Sequence, residues 1–230
     1  MTRQHLIIDA DDTLWENNIF FEKAFDEFVD FLDHSHLSPP QVRDVLDAIE
    51  AVNAKIHGYG SKNFGRNLVQ TYRQLAQRPI DNADLNMVLG FAERILNHPI
   101  ILRPGVDDTL GYLFERHELT LFTKGHPDEQ RMKIDRSDLA AFFHHAEIVK
   151  EKDVAAYLSL GAAKGFHAPR TWMIGNSPRS DINPALAAGY NAVFLPHPRT
   201  WILEKEELNQ PQPPSQLLIL NHFGQLREHF

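Results

Sequence analysis

The chain has 230 residues, 43% of them hydrophobic, a formal charge of −8 and no cysteine. That length suits one large domain or a core with a smaller insertion, and the apolar fraction is ample for a buried interior. The missing cysteines exclude disulfides, thiolate catalysis and thiolate zinc sites, while the acidic balance without a basic block argues against nucleic acid or anionic membrane as a partner.

The first apolar run, Leu6 to Ile8, is far shorter than a signal-peptide core and no stretch approaches transmembrane length, so the cytoplasm is the expected compartment. The run reads as a short buried parallel strand ending at Asp9. From Phe20 to Leu96 the texture is helical. Phe21, Phe25, Phe28 and Leu32 fall on one face of a helix. Ser38 and Gln41 have capping-box spacing, with Pro39 at the first helical position and Val42, Leu46 and Ile49 as the buried stripe. Phe64, Leu68, Tyr72 and Leu75 suggest a third helix, and Asp81 is an N-cap for a fourth carrying Leu85, Val88, Leu89, Ala92 and Leu96.

From about Ile100 short apolar runs alternate with helical spans: Leu119 to Phe122, Ala146 to Val149, Thr171 to Ile174, Asn191 to Leu195 and Leu217 to Leu220. Such alternation implies parallel pairing through right-handed crossovers. The strand at Leu6 has no partner nearby in sequence and must pair with these later ones, which makes the helical stretch an insertion into an α/β sheet. Prolines 196, 198, 211, 213 and 214 mark irregular connections, and Phe223 to Phe230 reads as a short closing helix.

In a parallel sheet the strand ends share one edge, and here the ends of the first four runs carry reactive groups. Asp9, Asp11 and Asp12 crowd the first; close carboxylate pairs repel by about 4 kcal/mol at an effective dielectric near 20, so a cation should answer them, most simply a divalent metal. Thr123, Lys124 and Gly125 offer a hydroxyl and turn N–H groups suited to a phosphate oxygen. Lys150 and Lys152 follow the third run. Gly175-Asn176-Ser177 and then Asp181 follow the fourth, ahead of a helix closed by Gly189.

The ordered set Asp9-x-Asp11-x-Thr13, Thr123, Lys152 and Gly175-Asn176-Ser177 with Asp181 resembles the haloacid dehalogenase superfamily, in its phosphatase branch with a helical cap. Taken with the texture, the expected fold is α/β: a Rossmann-like, doubly wound parallel sheet in residues 1–16 and 100–230, with an inserted all-helical cap at 17–99. The resemblance implies a Mg²⁺-dependent hydrolase of small phosphomonoesters. Asp9 would be the nucleophile forming an aspartyl-phosphate, and Asp11 the general acid and base. Thr123 would hold a phosphate oxygen and Lys152 would orient Asp9. Asp9, Asp181 and the main-chain carbonyl of Asp11 would ligate Mg²⁺. Thr13, Lys124, Gly125 and Asn176 complete the expected substrate contacts. Many family members have an acid where this chain has Asn176, which should weaken metal binding. Lys152 is preferred to Lys150 because it precedes a helix start at Asp153.

Other features have plainer readings. Asp12 is a solvated or capping carboxylate, no histidine metal centre is expected, and His34, His36, His144 and His145 are surface or loop residues. The Phe21, Phe25 and Phe28 stripe is cap core. Tyr59 between Gly58 and Gly60, with Phe64, is more simply packing than a substrate contact. Arg103-Pro104-Gly105 is the turn re-entering the core. Two other functions compete: 2-haloacid dehalogenation, which needs neither Asp11 nor the metal, and a catalytically weak phosphate-binding module, motivated by Asn176. The partner expected is a small phosphorylated metabolite whose identity, like the oligomeric state, no motif decides.

Overall fold

A computed structural model of the protein describes residues 2–32 and 35–230. The chain divides into two compact units, Met1–Glu16 with Ile100–Phe230, and Asn17–Pro99.

The first unit is built on a sheet of six strands: β1 (His5–Ile8), β2 (Glu118–Lys124), β3 (His145–Val149), β4 (Thr171–Gly175), β5 (Asn191–Phe194) and β6 (Leu217–Ile219). All pairs are parallel, in the order β3-β2-β1-β4-β5-β6. The chain winds outward through β2 and β3 on one side of β1, then returns to lay β4, β5 and β6 on the other. β1 is therefore the strand at which the winding reverses, and the carboxyl ends around it open the crevice where such folds bind ligands. Successive side chains of β1 enter opposite cores: Leu6 and Ile8 pack with Leu121, Trp172 and Ile174, whereas Ile7 packs with Phe122, Tyr157 and Met173. Burial on both faces is why this strand is continuously apolar rather than alternating.

The second unit contains α1 (Asn18–Phe31), α2 (Pro39–His57), α3 (Ser61–Leu75) and α4 (Asn82–Glu93) and, among the described residues, no strand. Phe25, Phe28, Leu32, Val42, Leu46, Phe64, Leu68 and Tyr72 form its core, with Phe21 partly buried against it. Local signals place the helix starts. Gln41 Oε1 accepts the Ser38 N–H at 2.9 Å, and the Asp81 carboxylate accepts the Asp84 N–H at 2.9 Å. The third helix begins at Ser61, one polar turn ahead of the apolar stripe that starts at Phe64. Phe64 is core and Tyr59 is half-buried.

The remaining helices cover the sheet: α5 (Val106–Phe114), α6 (Pro127–Arg136), α7 (Val154–Lys164) and α8 (Asn183–Ala187). Val106, Leu110 and Leu113 of α5 and Ile134 of α6 join the core of Leu6 and Ile8, while Tyr157 and Leu160 of α7 join that of Ile7. The closing segment is a 3-10 helix over Phe223–Glu228 whose Phe223 and Leu226 are buried. His36 and His144 are exposed and His145 is half-buried; His34 lies outside the described residues. No helix of the described residues is long and apolar enough to cross a membrane.

Candidate active site

Register brings the strand ends together. Ile8 is level with both Leu121 and Ile174, so Asp9 emerges between the ends of β2 and β4, and its N–H is held by the Ile174 carbonyl at 2.9 Å. Lys152 reaches the same point from the loop after β3. That loop is pinned because Asp153 caps α7, its carboxylate accepting the Ala156 N–H at 2.8 Å. The Lys152 ammonium lies 2.5 Å from Asp9 Oδ1 and 2.6 Å from Asp181 Oδ1, and donates to the Phe122 carbonyl at 3.2 Å. Lys150 is exposed, so the geometry decides between the two lysines.

Thr13 Oγ1 stands 2.9 Å from Asp9 Oδ2 and 3.1 Å from Asn176 Oδ1, tying the first motif to the last. Asp181 is fully buried and its second oxygen accepts the Ser177 N–H at 2.9 Å. Asp9, Thr13, Lys152, Asn176 and Asp181 thus form one buried, hydrogen-bonded group drawn from β1, β3 and β4.

With both carboxylates ionised, two of them sharing one ammonium leave this group one positive charge short of neutral. Burial pushes the Asp9 carboxyl up, and the nearby Asp181 charge adds to that; Lys152 offsets only part, so Asp9 is raised to about 7. Burial works against the charged form of Lys152 as well, but Asp181 and Asp9 outweigh it and hold the ammonium above its ordinary value.

Asp11 belongs to a second group. Its oxygens accept from Lys133 Nζ at 2.7 and 2.6 Å, from the Trp15 indole N–H at 2.8 Å and from Gln130 Nε2 at 3.1 Å. Gln130 Nε2 also donates to Thr123 Oγ1 at 2.6 Å, which links the general-acid candidate to the hydroxyl at the end of β2.

Two expected substrate contacts are otherwise engaged. The Gly125 N–H donates to the Val149 carbonyl at 3.1 Å, which leaves it nothing to offer a phosphate; its φ of +147° and the Gln130 Cγ 3.1 Å from where a Cβ would stand explain the glycine instead. Lys124 Nζ pairs with Glu204 at 2.6 Å and Glu151 at 3.2 Å, and donates to Ser180 Oγ at 2.8 Å. Glu204 also accepts from Ser177 Oγ at 2.6 Å. Burial would raise the Glu204 carboxyl, but Lys124 and the two serines hold it below its ordinary value. Sequence reasoning missed Gln130, Lys133 and Glu204. The first two share a face of α6 at i, i+3 spacing, a pattern too common to single them out.

The donor set fits a hard divalent cation: Asp9, Asp181 and Asn176 offer oxygens in one buried group whose two carboxylates face a single ammonium. A separate trio, Asp12, Glu16 and His197, has ligand atoms within 4.8 Å of one another, although no histidine centre is expected from the sequence. There His197 Nδ1 accepts the Arg199 N–H at 3.3 Å, so in the neutral ring Nε2 carries the proton and faces Glu16 at 3.2 Å. Ligation through Nε2 would displace that proton.

No family model and no curated protein matches the sequence. Solved structures do. A haloacid dehalogenase-like family hydrolase from Xanthomonas campestris is 26% identical, covering 99% of this chain and 94% of its own, with a TM-score of 0.84. A 2-haloacid dehalogenase from Pseudomonas syringae is 20% identical over 99% and 97% of the two chains, TM-score 0.64. The HAD-hydrolase YfnB from Bacillus subtilis, solved with bound magnesium, is 15% identical over 100% and 99%, TM-score 0.67. The six-stranded parallel sheet and near full-length agreement with these structures, together with an aspartate at the end of β1 and a lysine and a second aspartate converging on it, make this chain a member of the haloacid dehalogenase superfamily of hydrolases.

Proposed function

We propose that this hydrolase cleaves small phosphomonoesters with Mg²⁺ through an aspartyl-phosphate on Asp9. The observation that carries the reading is the pairing of two differently placed aspartates: Asp9 against Lys152 and Asp181, and Asp11 two residues later, linked through Gln130 to Thr123. One carboxylate is set among charges that would orient a nucleophile, and the other shares the Gln130 amide with a hydroxyl suited to a phosphate oxygen. In the first step an Asp9 oxygen bonds to phosphorus, the bond to the leaving oxygen breaks, and that oxygen takes the proton of the Asp11 carboxylic acid. In the second, Asp11 takes a proton from water as the water oxygen bonds to phosphorus, releasing phosphate and the Asp9 carboxylate. Thr123 donates to a phosphoryl oxygen and Lys152 holds Asp9. Mg²⁺, held by Asp9, Asp181 and the Asp11 carbonyl, with Asn176 as a neutral donor, would supply charge neutralisation at the phosphoryl group.

Halide leaves without protonation, so a dehalogenase has no need of Asp11 as an acid. A screen of phosphorylated metabolites with and without Mg²⁺, run beside 2-haloacids with halide release as readout, separates the two. Mg²⁺-dependent phosphate release is expected. Halide release with no phosphate release would overturn the reading, and neither product would favour a phosphate-binding module.

A further inference from the structure

The Asp11 carboxylate has neighbours of one kind only among those described above: an ammonium, an indole N–H and an amide NH₂. Lys133 spans both oxygens and so sets the plane of the carboxylate, while Trp15 and Gln130 each fix one end. Gln130 lies one turn earlier on α6, and its nitrogen has two hydrogens for three acceptors, Thr123 Oγ1 at 2.6 Å, the Lys124 carbonyl at 3.0 Å and Asp11 Oδ2 at 3.1 Å. An amide nitrogen only donates, so Thr123 Oγ1 accepts from it and keeps its own proton for an incoming oxygen. Gly125 makes room for Gln130 at this spot, since a Cβ there would stand 3.1 Å from Gln130 Cγ and 3.2 Å from its Cδ.

We propose that Lys133 and Gln130 are positioning residues: from one face of α6, Lys133 orients Asp11 for proton transfer, and Gln130 aims Thr123 while coupling it to Asp11. This rests on the phosphatase reading. Neither residue touches the reacting atoms; both act through Asp11 and Thr123.

Lys133→Met should lower turnover of alkyl phosphates by about tenfold or more, a part of the roughly hundredfold or greater contribution of a general acid, and that of 4-nitrophenyl phosphate far less, because only the poor leaving group needs the proton. Lys133→Arg should restore part of the loss. Added to Asp11→Asn, Lys133→Met should cost nothing further, since it acts through a group already removed. Equal losses for both leaving groups, additivity with Asp11→Asn, or a gain in rate would overturn the proposal. A second readout needs no turnover. The ¹⁵N–¹H signal of the Trp15 indole, assigned by Trp15→Phe, reports the orientation of Asp11, and Lys133→Met should shift it in the same direction as Asp11→Asn. An unmoved signal in a variant that melts like the wild type would overturn the positioning role. If the wild type releases phosphate from no ester, the phosphatase reading falls, and the indole signal still decides whether Lys133 holds Asp11.

Discussion

Asp181 occupies the space that a side chain at Gly175 would need: a Cβ built there stands 2.2 Å from Asp181 Oδ2 and 2.4 Å from its Cγ. Gly175→Ala should therefore displace Asp181 from Lys152, at a cost of about 1–3 kcal/mol of stability as for other overpacked cores. The Mg²⁺ concentration for half-maximal phosphate release should rise in Gly175→Ala and rise further in Asp181→Ala. Asn176→Ala should have a smaller effect, and Asn176→Asp should lower the midpoint, because one more negative charge faces the cation. Mg²⁺ titrations of the four variants give the ranking. An unmoved midpoint in Asp181→Ala would remove it from the metal site.

Asp9→Asn should abolish phosphate release, since an amide cannot accept the phosphoryl group. Its stability should also depart from the wild type in a pH-dependent way. The Asp9 carboxyl is raised from 3.8 to about 7 by burial and Asp181, so over that window the folded wild type retains a proton the unfolded chain has lost. Wild-type stability contributed at this position falls as pH rises through the window, and the neutral amide escapes that loss. Denaturant midpoints in EDTA should show Asp9→Asn gaining on the wild type between pH 5 and pH 8, by the reasoning of the linkage relation. A difference independent of pH would contradict the raised value.

The Lys124–Glu204 pair should be structural. Glu204→Gln leaves the largely buried Lys124 short of a charge partner, which should cost about 1–3 kcal/mol at neutral pH. Glu204 is held below its ordinary 4.5, so the pair's contribution is complete above that value and is lost as pH falls through the folded-state value. The gap between the two melting temperatures should be widest near neutrality and close in acid. A gap that widens in acid would reject the pairing as the source of stability.

Residues 17–99 should be removable. Their apolar core shares no residue with those of the sheet unit. The chain on either side is already joined: the Glu16 N–H donates to the Ile101 carbonyl and the Arg103 N–H to the Leu14 carbonyl, both at 2.9 Å. A short Gly/Ser linker from Glu16 to Ile100 should give a protein that unfolds cooperatively by circular dichroism. A non-cooperative melt would show that the sheet unit depends on the insertion.

What the sequence alone determined were the features carried by local chemistry. Parallel strands covered on both faces are unbroken apolar runs, so β1, β2, β4 and β5 and the reactive groups at their ends were legible, as were helix starts whose caps lie three residues away at Ser38, Asp81 and Asp153. The first turn of α3 was not, because a polar turn leaves no mark in hydrophobic period. Tertiary structure alone decided which of several chemically equal groups converge. Lys124, Lys133, Lys150 and Lys152 carry the same ammonium, yet one meets Asp9, one Asp11, one Glu204, and one is exposed. Those contacts bridge 80 to 143 positions along the chain. Strand order and register set them, and a linear pattern with a period of two or 3.6 residues carries no information at that range.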